Sequence, residues 1–85
     1  MSKLGNGVDT EGLIRYFHLD SDDPEVLEQA LKDMWKRVGL LENGVVSALT
    51  AGDMREKSEL EAEIREIRRL RVETLKRVDE LKGKG

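Results

Sequence analysis

Apolar residues recur every three or four positions along most of this chain, which is the spacing that places side chains on one face of an α-helix. The pattern is longest in the last third of the sequence, and no β-hairpin signal accompanies it. We therefore predict an all-α protein, in which short N-terminal helices precede one long C-terminal amphipathic helix. The apolar stripe of that helix consists of Leu60, Ile64, Ile67, Leu70, Leu75, Val78 and Leu81.

Capping residues set the first boundaries. Asp9 or Thr10 can cap a short helix over residues 11–18. Asp23 followed by Pro24 is typical of a helix start, because the aspartate accepts a backbone N–H and proline suits the first helical position. A second helix is therefore predicted from Pro24 onward.

Glycines set the later boundaries. Gly39 is predicted to end the second helix, and a short third helix is predicted over residues 45–51. Gly52 is predicted to end that helix. Asp53, with Glu three positions later, predicts the start of the long helix.

These boundaries divide the chain into four parts. We expect a flexible arm at the start, a small helical cap, a long oligomerisation or docking helix, and a flexible tail. The parts cover residues 1–9, 10–52, 53–82 and 83–85.

The long helix is predicted to form an interface. A helix of about thirty residues is roughly 45 Å long, and the remaining residues could not easily cover its whole apolar stripe. In a heptad register, Arg71 and Thr74 fall in the middle of an otherwise apolar seam, and apolar residues flank that seam there. The predicted partner or oligomer interface comprises Leu60, Ile64, Ile67, Leu70, Arg71, Thr74, Leu75, Val78 and Leu81.

The charges beside the seam disfavour a parallel dimer, since two of its facing charge pairs would be repulsive and one attractive. An antiparallel arrangement, a return of the helix against the N-terminal helices, or a different partner protein fits at least as well. Arg71 is expected to reach water or to pair with a carboxylate such as Glu63 or Glu66 of a neighbouring chain. The alternative is that it fixes the register or binds a specific acidic partner. Trp35 is expected in the core or at an interface.

Composition narrows the function classes. The net charge of −3 disfavours a wholly basic nucleic-acid binder. Cysteine is absent and His18 is the one histidine, so we expect no metal site, no cofactor, no nucleophilic triad and no enzyme. No apolar run approaches the eighteen or so residues of a membrane span, and a cytoplasmic or virion location without membrane contact is expected.

Residues 34–52 support an alternative function. They resemble a helix-turn-helix motif with its turn at Gly39 and with Val45 and Leu49 packing the second helix. Ser47 and Thr50 would then be the candidate DNA contacts. The second helix carries no Arg or Lys to meet a phosphate. A DNA-binding regulator or packaging subunit is therefore the alternative to an assembly protein.

Residues 10–23, with the sequence TEGLIRYFHLDSDD, resemble the opening of small bacteriophage head-tail connector proteins, in which a short helix leads through an Asp-rich turn into a second helix. The resemblance implies a non-enzymatic virion component that assembles as a ring between portal and tail. The predicted function is thus a structural protein that self-associates, or docks on a larger protein assembly, through its C-terminal helix.

Overall fold

Three α-helices make up the computed structural model, which describes residues 9–83. They are α1 (Thr10–Phe17), α2 (Pro24–Ala51) and α3 (Met54–Gly83), and residues 9–83 contain no β-sheet. The all-α prediction is confirmed. Residues 1–8 of the predicted arm (1–9) and residues 84–85 of the predicted tail (83–85) lie outside the described residues. The two described positions are not separate from the helices, since Asp9 caps α1 and Gly83 is the last residue of α3.

The predicted caps form at both early helix starts. The side chain of Asp9 accepts a hydrogen bond from the backbone N–H of Gly12 at 3.1 Å, and Asp23 accepts one from Glu25 at 2.9 Å. Helix α1 ends at His18, whose φ of 58° lies in the left-handed region. A short Asp-rich turn then leads into α2.

Helix α2 is continuous over 28 residues, so the turn predicted at Gly39 and the separate helix predicted over residues 45–51 are wrong. Gly39 keeps a helical backbone; Gly52 is the described glycine with positive φ. The physical reason is packing: the buried stripe of α2 continues beyond Gly39 through Leu41 and Ala48. Contacts along a whole face outweigh a propensity cost of about 1 kcal/mol per glycine.

Gly52 and Asp53 form the tight connection between α2 and α3. Gly52 has φ 75°, and its N–H donates to the carbonyl of Leu49 at 3.1 Å. The side chain of Asp53 accepts the N–H of Glu56 at 3.1 Å. Gly52 therefore ends a helix and Asp53 caps the long helix, as predicted, but the helix that ends at Gly52 is α2 and not a separate third helix.

The two long helices form an antiparallel hairpin. Their contacts dominate the tertiary structure, whereas α1 packs on one side of the hairpin through buried Phe17. The long helix thus returns against the N-terminal part of the chain, one of the arrangements considered above. The core cluster consists of Phe17, Ala30, Met34, Val38, Leu41, Ile64, Ile67 and Leu70.

Candidate protein interface

Most of the predicted interface stripe lies inside the chain's own hairpin. Its residues fall into three groups by exposure. The buried ones are Ile64, Ile67, Leu70, Thr74 and Val78; the half-buried ones are Leu60, Arg71 and Leu81; the exposed one is Leu75. The expectation that the rest of the chain is too short to cover α3 is wrong, because α2 has 28 residues against the 30 of α3. The buried part of the stripe is therefore closed to a partner while α2 is in place, and Leu75 remains accessible.

A different surface of the hairpin is left uncovered by residues 9–83, and we call it the open face. It is defined by two rows of side chains that each repeat every seven positions, which keeps them on one side of a helix. The α2 row consists of Glu28, Trp35, Glu42 and Leu49, and the α3 row of Glu61, Arg68, Leu75 and Lys82.

Contacts across the groove show that the two rows face each other. Arg68 lies 3.2 Å from Glu42, and Lys82 pairs with Glu28. The guanidinium of Arg71 lies over the ring of Trp35, 5.1 Å from its centroid. The two rows therefore border one groove of the hairpin along most of its length.

Helix α1 lies on the other side. Arg37 follows Trp35 by two residues, about 200° around the helix, and its partner across the hairpin is Glu63 at 3.2 Å. A depression on that side has a wall formed jointly by α1 and α2. It is lined by Tyr16, Phe17, His18, Asp33, Lys36, Arg37 and Leu40.

The open face collects exposed apolar side chains. Trp35 is 64% exposed, Leu49 is 55% exposed and Leu75 is 43% exposed. Val46 and Val72 extend the same surface and are also exposed. A shallow depression of about 440 Å³ beside Val46 runs between the helices, down to Ile64. Trp and other large apolar groups exposed together are typical of protein–protein contact surfaces.

Charge is distributed unequally between the two rows. The α2 row carries Glu28 and Glu42, while the α3 row carries Arg68 and Lys82 beside a single acid, Glu61. Arg65 and Arg71 add positive charge along the same side of α3, since Arg65 lines the depression and Arg71 stacks on Trp35. By the same seven-residue spacing, Lys32 lies on the side of Val46 and Asp79 on the side of Val72. The open face thus has an α2 edge that is acidic in net charge and an α3 edge that is basic in net charge.

The carboxylates expected beside Arg71 are used elsewhere. Glu66 is buried and accepts hydrogen bonds from Arg69 at 2.6 and 3.0 Å and from the Thr10 hydroxyl at 2.6 Å. The hydrogen bonds from Arg69 lower the pKa of Glu66 against the opposing effect of burial, and they raise the pKa of Arg69. Glu66 therefore fastens the start of α1 to α3.

Ser47 and Thr50, the candidate DNA contacts, are exposed near the end of α2. The Thr50 hydroxyl donates to the carbonyl of Val46 at 3.0 Å. Both residues belong to one uninterrupted helix, so the turn that would present a separate recognition helix is absent from α2. The helix-turn-helix alternative thereby loses its geometric basis.

Residues 9–83 bring together no group of three or more His, Cys, Asp or Glu side chains able to hold a metal ion. Over the same residues, no helix combines the length and apolar character needed to cross a membrane. Comparisons with protein-family models, curated proteins and solved structures each found no match to the chain.

Proposed function

We propose that this chain is a non-enzymatic assembly protein, a helical hairpin that binds another helical protein surface through its open face. The observation that carries the proposal is the exposure of Trp35, Leu49 and Leu75 on the side of the hairpin that α1 leaves uncovered. The interface first expected along the whole of α3 is thereby reduced to the open face, to which Leu75 contributes directly.

A helix is the partner element that fits this surface best. Helices pack at about 8–10 Å by placing side chains in the groove between neighbouring rows, and an antiparallel hairpin offers such a groove on each side. Phe17 of α1 fills one groove. On the other side, exposed apolar residues alternate with charged residues along each row, so a partner helix would meet apolar layers separated by charged ones.

Site-specific photocrosslinking in the cells that produce the chain tests the proposal. A benzophenone amino acid is placed at Val46 on the open face or at Leu40 on the opposite side of α2. These residues are matched, with exposures of 63% and 65%. We expect adducts with protein from position 46 and none from position 40. Equal adducts from both positions, or none from position 46, would contradict the proposal.

A virion setting is a narrower proposal, supported only by the resemblance of residues 10–23 to phage head-tail connector proteins. This segment forms a short helix followed by an Asp-rich turn, a local structure that ordinary capping by Asp9 and Asp23 also produces. Quantitative mass spectrometry of purified virions tests the setting. A fixed copy number per particle is expected of a connector.

A further inference from the structure

We infer that the open face binds a second copy of this chain, in a two-fold dimer in which α2 of each copy lies against α3 of the other. The inference rests on the proposed function and specifies the partner of the same surface. The product is a four-helix bundle, in which every helix has antiparallel neighbours.

The register of the two rows carries the inference. Two ion pairs fix the level of the rows: Glu28 meets Lys82, and Glu42 meets Arg68. Both rows repeat every seven residues and run antiparallel, so the other members also stand level across the groove. In this register Trp35 is level with Leu75, and Leu49 with Glu61.

A two-fold axis parallel to the helices preserves those levels. It places the α2 row of one copy opposite the α3 row of the other, so that each acid of α2 meets the partner copy's base at the same level. Glu42 and Arg68 of the two copies then form a ring of four alternating charges. Trp35 and Leu75 of both copies form an apolar layer between two such charged rings.

The other face-to-face arrangement matches less well. A two-fold axis perpendicular to the helices places α2 against α2 of the second copy. With that axis midway along the rows, where the two copies overlap fully, Trp35 faces Glu42 of the second copy and Arg68 faces Leu75. The two acidic rows then lie side by side. Complementary charge across an interface selects partner and register, and like charges in contact disfavour association. The acidic and basic edges therefore favour contact between α2 and α3.

The open face is also large enough. A standard interface buries about 800 Å² on each partner, which along a molecule 51 Å long requires a strip only about 16 Å wide. Charged rings separate the apolar layers, and screening by salt weakens attraction between exposed charges. The dimer is therefore expected to dissociate on dilution and at high salt.

Light scattering over a dilution series of the intact chain is the first test. We expect a mass of twice 9.7 kDa at high concentration, falling on dilution. Trp35→Ala should weaken association at least tenfold. Leu40→Ala should leave it within twofold, because Leu40 is as exposed as Trp35 but lies on the opposite side of α2. Circular dichroism verifies that both variants keep their helices.

Cross-linking between two single-cysteine variants tests the arrangement, since the chain has no cysteine of its own. Leu49→Cys mixed with Glu61→Cys should form a mixed disulfide, because these positions are level between α2 and the α3 of the second copy. Leu49→Cys mixed with Glu28→Cys should not, because those positions meet only when α2 lies on α2. The reverse result would overturn the arrangement.

The solution mass tests the dimer, and photocrosslinking from Val46 tests the proposed function, so the two proposals can fail separately. A chain that stays monomeric at every concentration, or forms a larger ring, overturns the two-fold dimer. If photocrosslinking from Val46 still yields adducts with another protein in that case, the assembly function stands with a different partner. If Val46 gives no adducts either, both proposals fall.

Discussion

Glu66 and Arg71 are two charged residues of α3 that are stabilised by different kinds of contact. Glu66 lies three positions before Arg69 on the same helix, so their pairing needs no other element. Arg71 is half-buried, forms no ion pair with a carboxylate among residues 9–83, and places its guanidinium over Trp35. A cation–π contact at such a site contributes about 0.5–1 kcal/mol. Arg71 therefore helps to hold Trp35 on the open face.

Glu66→Gln should make the stability of the protein less dependent on pH. The folded-state pKa of Glu66 is lowered, chiefly by the hydrogen bonds from Arg69, so the carboxylate stabilises the fold at pH values above the ordinary pKa of a glutamate. That contribution is lost as pH falls through the lower, folded pKa. At pH 7 the variant should be less stable by about 1 kcal/mol, since Arg69 is half exposed. At about pH 3 the difference should shrink.

Urea unfolding at both pH values measures this effect, and Glu59→Gln is the control, because Glu59 is an exposed carboxylate on the same helix. A Glu66→Gln variant whose deficit was the same at both pH values would show that the ionised carboxylate does not stabilise the fold. Hydrogen exchange in α1 gives a second readout. Its amides should exchange faster in the variant, because Glu66 also binds Thr10.

At the scale of elements, the continuity of α2 decides whether the chain contains a helix-turn-helix. Gly39→Ala should stabilise the protein by about 0.5–1 kcal/mol, because a methyl group at this exposed helical position meets no atom within 4 Å. A turn with positive φ at Gly39 would give the opposite sign. Urea unfolding measures the difference, and a destabilised variant would contradict the continuous helix.

Gly44→Ala provides a comparison within the same helix. A Cβ atom there would lie 3.1 Å from Cδ1 of Leu60, so the flexible side chain must shift. The gain in helix propensity should be partly offset, and the stabilisation should be smaller than at Gly39. Equal gains at both positions would mean that Leu60 adjusts without cost.

The sequence predicts the ends of these helices better than their interiors and contacts. Caps are local, so Asp23 with Pro24 and Gly52 with Asp53 are readable from neighbouring residues. Whether the helix ends or continues at Gly39 depends on packing against α3, which is distant in sequence. Likewise, periodicity shows that α3 must be covered but not by which element. The seven-residue spacing of Glu28, Trp35, Glu42 and Leu49 is present in the sequence. It gives a weaker signal than the stripe of α3, because only two of these four residues are apolar.

At the scale of the whole molecule, α2 and α3 stabilise each other. Their contact carries most of the apolar core, and ion pairs cross both sides of the hairpin, from Arg37 to Glu63 and from Arg68 to Glu42. Exposed pairs of this kind contribute little individually, up to about 1 kcal/mol, so the apolar contact dominates. The molecule is thin, with extents of 51 × 27 × 16 Å, so removal of either long helix exposes the core.

Truncation after Gly52 should therefore abolish folding as well as assembly. The remaining fragment would expose the buried face of α2, including Leu27, Met34 and Leu41. Most of the stability of a helix in a protein comes from packing of its apolar face, so circular dichroism should show most of the helical signal lost. Adding residues 53–83 as a separate peptide should restore it, since the peptide supplies the missing face. A fragment that kept its helices alone would show that residues 10–52 are an autonomous unit and that α3 serves mainly to bind a partner.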